Sequence, residues 1–369
     1  MSYYLLLRKT WLSNIRSLVR FHSTVTTIQK DSCATEPRKQ EGFTDTFGRQ
    51  HTYLRVSVTE KCNFRCLYCM PEEGVQLTPS ENILTKDEII RLLKLFSEYG
   101  VEKVRFTGGE PLVRKDFLDI VQCTKQQTNI RLAITTNGMI LNKYLDSLRQ
   151  SGVSGLNISL DTLTPVKFEF ITRRRGHKTV LDSIFKAVEH GFPSVKVNCV
   201  VIRGFNDDEI LSFCYLTKDW NITVRFIEYM PFEGNRWNTD KFVSFEEMKE
   251  KIVNEFGTLK TEQNDIHDTT KHFRIPSFVG RIGFITSMSE HFCAGCNRLR
   301  ITADGNLRVC LFGNKEVSLR DYMRQGASDD ELAQVVAFAV RKKDFALGGY
   351  EDMKGVASNP NRPMIHIGG

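Results

Sequence analysis

From Tyr53 onward the chain alternates short apolar runs with longer amphipathic ones, and that alternation limits it to a few architectures. The runs "YLRVSVT", "VEKVRFT", "IRLAITT", "GLNISL", "SVKVNCVVI" and "TVRFIEYM" have strand length and are rich in β-branched residues. Helix patterns separate them. In "LTKDEIIRLLKLFSEYG" Thr85 and Glu88 form a capping-box signature and Gly100 closes the helix. "KDFLDIVQCTKQQ", "NKYLDSLRQSG", a stretch around 179–190 and "DDEILSFCYLTKD" follow the same logic. Six strand candidates joined by helices through short connections predict an α/β fold. Its strands should be parallel, with right-handed crossovers, in a barrel or an open sheet.

After Met230 the rhythm stops. Residues 231–243 read as loop, 244–256 as helix and 257–280 as an irregular polar stretch. "RLRITADGNLRVCLF" reads as a hairpin turning at Asp304-Gly305, a helix-rich segment runs to about 346, and "KGVASNPNRPMIHIGG" is loop-like. A length of 369 residues suits one large domain with a smaller appendage. The expected divisions are a leader over 1–40, a core over 41–243, a second unit over 244–352 and a tail over 353–369.

The formal charge of +7 invites a nucleic-acid reading, but its placement opposes one. Arg8, Lys9, Arg16, Arg20 and Lys30 lie in an acid-free N-terminus, which leaves about +2 for residues 31–369. In that N-terminus Leu7, Trp11, Leu12, Ile15, Leu18 and Val19 share one helical face, with the basic residues beside it. The pattern fits a mitochondrial presequence, and so a destination in the matrix. Its apolar stretches fall short of the roughly 20 residues that span a bilayer, so no membrane role is expected.

Six of the ten cysteines sit in two tight clusters, an arrangement of metal ligands rather than disulfides. Cys33, Cys123, Cys199 and Cys214 are given no role. "VTEKCNFRCLYCMPE" places Cys62, Cys66 and Cys69 at C-x3-C-x2-C spacing directly after the first strand, where α/β barrels carry their chemistry. Zinc favours C-x2-C pairs and four closed ligands, and a second C-x2-C at Cys293 and Cys296 leaves a shared site open. Three adjacent thiols also suit three corners of an iron–sulfur cubane whose fourth iron is free for a small molecule.

"HFCAGCNRLRITADGNLRVC" contributes Cys293, Cys296 and Cys310, again three thiols. Either His291 completes a Cys3His zinc site or the trio holds a second cubane. Arg298 and Arg300, two apart on a strand, face one side as a clamp for an anion. "RFTGGEPLVR" follows the second strand, and Gly108 and Gly109 there let backbone approach a ligand. Thr136, Asn137, Ser159, Asp161 and Met230 stand at further strand ends. "RGHKT" lacks the Gly-Lys pair and spacer of a phosphate-cradling loop. Arg173 to Arg175 form a basic triplet left without assignment.

The first trio, with Tyr68 before its last cysteine, resembles the radical S-adenosylmethionine (SAM) superfamily. Both trios and the Arg-Leu-Arg at 298–300 together resemble the GTP 3′,8-cyclases of molybdenum cofactor biosynthesis, over roughly residues 43–369. The resemblance implies an incomplete (β/α)6 TIM-type barrel, with a C-terminal α+β extension carrying a second cluster. It implies two [4Fe–4S] clusters, on Cys62, Cys66 and Cys69 and on Cys293, Cys296 and Cys310. It places Tyr68, Gly109, Ser159 and Met230 toward SAM. Arg55, Arg105, Thr136, Lys196, Arg298, Leu299 and Arg300 would face GTP, and Arg55, Arg105 and Lys196 are expected to converge on one mouth. A deoxyadenosyl radical would remove the ribose 3′ hydrogen, and C3′ would join guanine C8.

Gly368 and Gly369 match a terminal pair that enters the pocket in that family. No final proton donor is assigned. The resemblance further implies an external electron donor, a homodimer, and a downstream cyclic pyranopterin monophosphate synthase on another polypeptide. Two rivals remain: a peptide-modifying radical SAM enzyme with an auxiliary cluster, and a zinc-binding nucleic-acid module.

Overall fold

A computed structural model describes residues 42–70, 74–235, 237–359 and 361–368. The expected presequence and Gly369 lie outside the described residues. All six expected strands form: β1 Tyr53–Ser57, β2 Lys103–Thr107, β3 Arg131–Thr136, β4 Val153–Ser159, β5 Ser194–Val201 and β6 Thr223–Glu228. Each pairs in parallel with the next. The helices between them are α1 Lys86–Glu98, α2 Phe117–Gln127, α3 Leu145–Gln150, α4 Pro165–Thr172, α5 His177–Glu189 and α6 Ile210–Asp219. The capping box on α1 is present, with the Glu88 amide donating to Thr85 Oγ1 at 3.2 Å and the Thr85 amide to Glu88 at 2.8 Å. Helix α4 was not foreseen, because it is short and carries no amphipathic stripe.

The C-terminal third does not form a separate layer. After α7 Phe245–Phe256 come β7 Lys260–Thr261, β8 Lys271–Arg274, β9 Arg281–Ile285, β10 Arg298–Ile301, β11 Asn306–Arg308 and β12 Glu316–Ser318. They extend the same sheet at both edges, in the order β12-β11-β10-β1-β2-β3-β4-β5-β6-β9-β8-β7. Strand β9 runs parallel to β6 and β10 parallel to β1, so the parallel run grows at each end, and the sheet stays open. The expected hairpin is β10–β11, with Gly305 at φ +81° in its turn. Helices α8 Leu319–Arg324 and α9 Asp329–Arg341 follow. The loop-like end holds two short helices, α10 Met353–Ser358 and α11 Met364–Ile367.

Strand alternation sorts the residues. Leu54, Val56, Val104, Phe106, Val195, Val197, Val224 and Phe226 are buried in the apolar core, whereas the positions between them, such as Arg55, Arg105, Lys196 and Arg225, line an interior cavity. Glu228, fully buried at the end of β6, accepts from the amides of Phe245 at 3.0 Å, Met288 at 2.8 Å and Ser289 at 2.9 Å. It thereby ties β6 to the start of α7 and to the segment leaving β9. Replacing Glu228 with Leu orphans those three amides, at about 1–3 kcal/mol each, and removes the acceptor of the Ser289 hydroxyl. Chemical denaturation should show a loss of about 3 kcal/mol or more, only partly recovered by Glu228→Gln, whose amide nitrogen cannot accept from the donors that one carboxylate oxygen serves.

Candidate active site: two cysteine trios at opposite ends of one cavity

The cavity has a volume of about 520 Å³ and is bordered by all six clustered cysteines. The trios do not share a mouth. Cys62, Cys66 and Cys69 follow the C-terminal end of β1. Cys296 precedes β10, whose Arg298 pairs with Tyr53 at the start of β1. Cys310 follows β11, which runs back antiparallel from that level. One trio therefore stands at each end of the parallel strands. Segment 286–297 leaves β9 at one edge of the parallel run and enters β10 at the other, carrying Cys293 and Cys296 across the opening.

The first cysteine loop is clamped by backbone. The Arg65 and Leu67 amides donate to Thr172 and Ile171 at the end of α4, at 3.0 and 2.9 Å. The Gly109 amide donates to the Thr59 carbonyl at 2.7 Å and that of Glu110 to Lys61 at 2.9 Å. A Cβ on Gly109 would stand 2.5 Å from the Lys61 carbonyl oxygen and 2.6 Å from that of Glu60. In this structure the glycine is required by the close approach of the cysteine loop itself.

Glu110, which the sequence reading passed over as part of a turn, is fully buried. It accepts from the Asn137 amide at 2.7 Å, Thr136 Oγ1 at 2.8 Å and the Leu112 amide at 3.1 Å. Burial nevertheless lifts its carboxyl to about 7, against those donors. Asn137 in turn donates to Asn63 at 2.6 Å within the loop. Tyr68 donates its hydroxyl to Asp161 at 2.8 Å, and burial raises Asp161 to about 6.

The six clustered cysteines are free thiols. Among the described residues no three Cys, His, Asp or Glu side chains converge to hold a single metal ion, so each trio borders the cavity as separated sulfurs. Burial pushes Cys66 far up and Cys69 up to about 12, and neighbouring thiols and Asp161 push the same way. Thiolates there need a cationic body among them, and an iron–sulfur cluster with separated irons fits that donor set.

Between the trios the wall is cationic. Arg300, Arg55 and Arg105 lie in register across β10, β1 and β2, as do Arg298, Tyr53 and Lys103 one level nearer the second trio. The guanidinium carbons of Arg105 and Arg298 lie 5.5 and 5.7 Å from the Tyr53 ring centroid, and Lys103 Nζ lies 5.0 Å from it. Lys196 and Arg225 face them from β5 and β6. Burial drives Arg55 well below its ordinary value and lowers Arg300 to about 10. Burial, then the Arg225 charge, brings Lys196 down to about 7, and burial takes Arg225 to about 9.

Lys103, Tyr53 and Arg225 were missed in the sequence. Their signal was a polar or charged residue at every second position of strands otherwise built for burial. Thr136, Ser159, Met230 and His291 line the cavity as well. Leu299 does not: strand alternation turns its side chain into the apolar core, where it is fully buried. The Gly368 carbonyl accepts from Arg55 at 3.5 Å and Arg300 at 3.4 Å. A Cβ on Gly368 would sit 2.6 Å from Thr107 Oγ1, so only glycine fits there unstrained.

Comparison with known proteins gives this geometry a class. Residues 56–216 match the radical SAM superfamily and residues 222–347 the molybdenum cofactor synthesis C-terminal family. The chain is 15% identical to the Streptococcus suis protein SuiB, whose structure was solved bound to S-adenosylmethionine. The TM-score is 0.53, over 86% of this chain and 72% of that one, a likeness of fold. This is a radical SAM protein, of the superfamily that uses SAM and a [4Fe–4S] cluster.

The chain is also 53% identical to the mitochondrial GTP 3′,8-cyclase of Arabidopsis thaliana, over 95% of its own length and 89% of the relative's. It is 54% identical to human molybdenum cofactor biosynthesis protein 1 across 88% of its length, and spans about half, 51%, of that longer protein. It belongs to the GTP 3′,8-cyclase family.

Gly109→Ala should force the backbone at 60–61 outward and displace Cys62. The anaerobically reconstituted variant should bind less iron per chain than the parent protein. Unchanged iron content would contradict the clamp.

Proposed function

We propose that the chain converts GTP into 3′,8-cyclo-7,8-dihydro-GTP, the first step of molybdenum cofactor biosynthesis, with SAM and two [4Fe–4S] clusters. One observation carries this reading: two cysteine trios border the ends of a single cavity whose wall between them is lined with buried cations. In the reading, Cys62, Cys66 and Cys69 hold the cluster that meets SAM, and Cys293, Cys296 and Cys310 hold the one that meets the guanine edge. When bound, these groups supply an electron, a carbon radical and open iron positions.

The protein supplies geometry and charge. Tyr68, Gly109, Ser159 and Met230 border the SAM end, with Asp161 fixing the Tyr68 ring through its hydroxyl. Arg55, Arg105, Arg298, Arg300 and Lys196 receive the triphosphate. The Arg pair suits it by fork geometry, and Lys196 takes up a proton as the anion arrives. Thr136 is held by Glu110 at the first end. Leu299 contributes its strand backbone, since its side chain faces away. Gly368 closes the space beside Arg55 and Arg300, and the terminal pair Gly368 and Gly369 is assigned a part in turnover. Holding the ribose in a dry cavity against the reactive carbon is where the rate gain lies.

Among the described residues no helix is long and apolar enough to cross a membrane. The N-terminal pattern and the mitochondrial relative support placement in the matrix. The product passes to a cyclic pyranopterin monophosphate synthase, and the electron comes from an external donor.

Anaerobic, reduced enzyme given GTP and SAM should form the cyclised nucleotide and 5′-deoxyadenosine together. Deoxyadenosine without GTP conversion would overturn the substrate assignment. Lys196 with a value near 7 in the free protein loses its charge as pH rises, so GTP binding should weaken from pH 7 to 9. In Lys196→Arg, whose charge persists, that dependence should flatten. Equal slopes in the two proteins would remove Lys196 from the phosphate site.

A further inference from the structure

Outside the cavity wall lies a buried cation that the proposed chemistry leaves without a role. Lys343, two residues beyond α9, is 5% exposed. Its ammonium spends all three protons: on Cys296 Sγ at 3.3 Å, on the Arg298 carbonyl at 3.1 Å and on His51 Nε2 at 2.8 Å. None of these acceptors is a carboxylate. A buried ammonium set among neutral acceptors is costly, and an anion beside it offsets that cost.

His51 is built to present a lone pair to this lysine. It is fully buried, and its Nδ1 lies 3.0 Å from the Phe43 carbonyl, which can only accept. Nδ1 therefore carries the proton and Nε2 is the acceptor. Burial, then the Lys343 charge, hold the ring down at about 3, so it stays neutral. The same N-terminal stretch steadies the neighbouring ligand, for Arg49 donates to the Cys293 carbonyl at 2.6 Å. The first trio has a different setting. Cys66 and Cys69 face Asp161, and Cys62 faces Glu110, both acids.

We infer that Lys343, oriented by His51, is a positioning residue for the second cluster: it fixes the Cys296 sulfur and raises that cluster's reduction potential. This rests on the reading that Cys293, Cys296 and Cys310 hold an iron–sulfur cluster. The cause is electrostatic. Reduction adds negative charge to the cluster, and a buried ammonium donating to a ligand sulfur stabilises the reduced form more than the oxidised one.

The test is a mediated redox titration, read by electron paramagnetic resonance on full-length, anaerobically reconstituted protein. A Cys62→Ala, Cys66→Ala, Cys69→Ala background identifies the second cluster's signal. Lys343→Met should disfavour reduction of that cluster by at least tenfold, about 59 mV for one electron, and leave the first cluster's potential in place. His51→Leu, which keeps the lysine but removes its acceptor, should shift the potential the same way by less. His51→Gln, which restores an acceptor, should return it.

An unchanged second potential in Lys343→Met overturns the inference while the two-cluster reading stands. Where Lys343→Met does not fold, equal potentials in His51→Leu and His51→Gln overturn it. If the triple-alanine protein binds zinc, or no iron and sulfide, the two-cluster reading itself fails and this inference with it.

Discussion

The constraint on which the rest depends is the burial of like charges. Arg300, Arg55 and Arg105 stand side by side on three adjacent parallel strands, facing a cavity rather than solvent. Lys196 and Arg225 add to them from β5 and β6. Guanidiniums so placed repel one another and lose hydration, which is why burial depresses Arg55, Arg300 and Arg225. No core packing advantage explains such a wall. A polyanion in the cavity relieves it, and the apolar layer of Leu54, Val56, Val104 and Phe106 behind the strands keeps the arginines aimed inward.

That wall is possible because the sheet is open. In a closed barrel of this size side chains fill the interior. Here the C-terminal third adds β9 beyond β6 and β10 beyond β1, and the chain between them crosses the opening. The crossing segment brings Cys293 and Cys296 to the end of the strands opposite Cys62, Cys66 and Cys69. Under the proposed function, clusters held by the two trios address different parts of one bound molecule, as joining a ribose carbon to a base requires. The carbonyl of Gly368 against Arg55 and Arg300 shows that the tail reaches the same space.

Much of this was legible in the sequence. The six core strands were, because each joins β-branched composition to a neighbouring helix signal, and the cysteine spacings picked out both trios. Four things were hidden for physical reasons. The pairing of β10 with β1 joins Arg298 to Tyr53 across most of the chain, and no local pattern encodes a partner that distant. Strand β9 lay beyond the 257–280 stretch and was given no reading, because "RIGFI" is short and gains its stability from β6 and β8. Lys103 and Arg225 look like surface charges until their strands are known to be covered on the outer side by helices. Glu110 was taken for part of a turn, and only burial with three donors marks it as the strut that fixes Thr136 and Asn137.

The central claim is that each sulfur trio leaves one iron of a cubane open, so that a small molecule completes it from inside the shared cavity. Electron–nuclear double resonance on anaerobically reconstituted, reduced protein tests this most directly. SAM labelled at its amino nitrogen should couple to the cluster on Cys62, Cys66 and Cys69, and GTP labelled in its guanine ring to the cluster on Cys293, Cys296 and Cys310. Clusters that show no coupling to either label, or zinc in place of iron and sulfide at either trio, would contradict it.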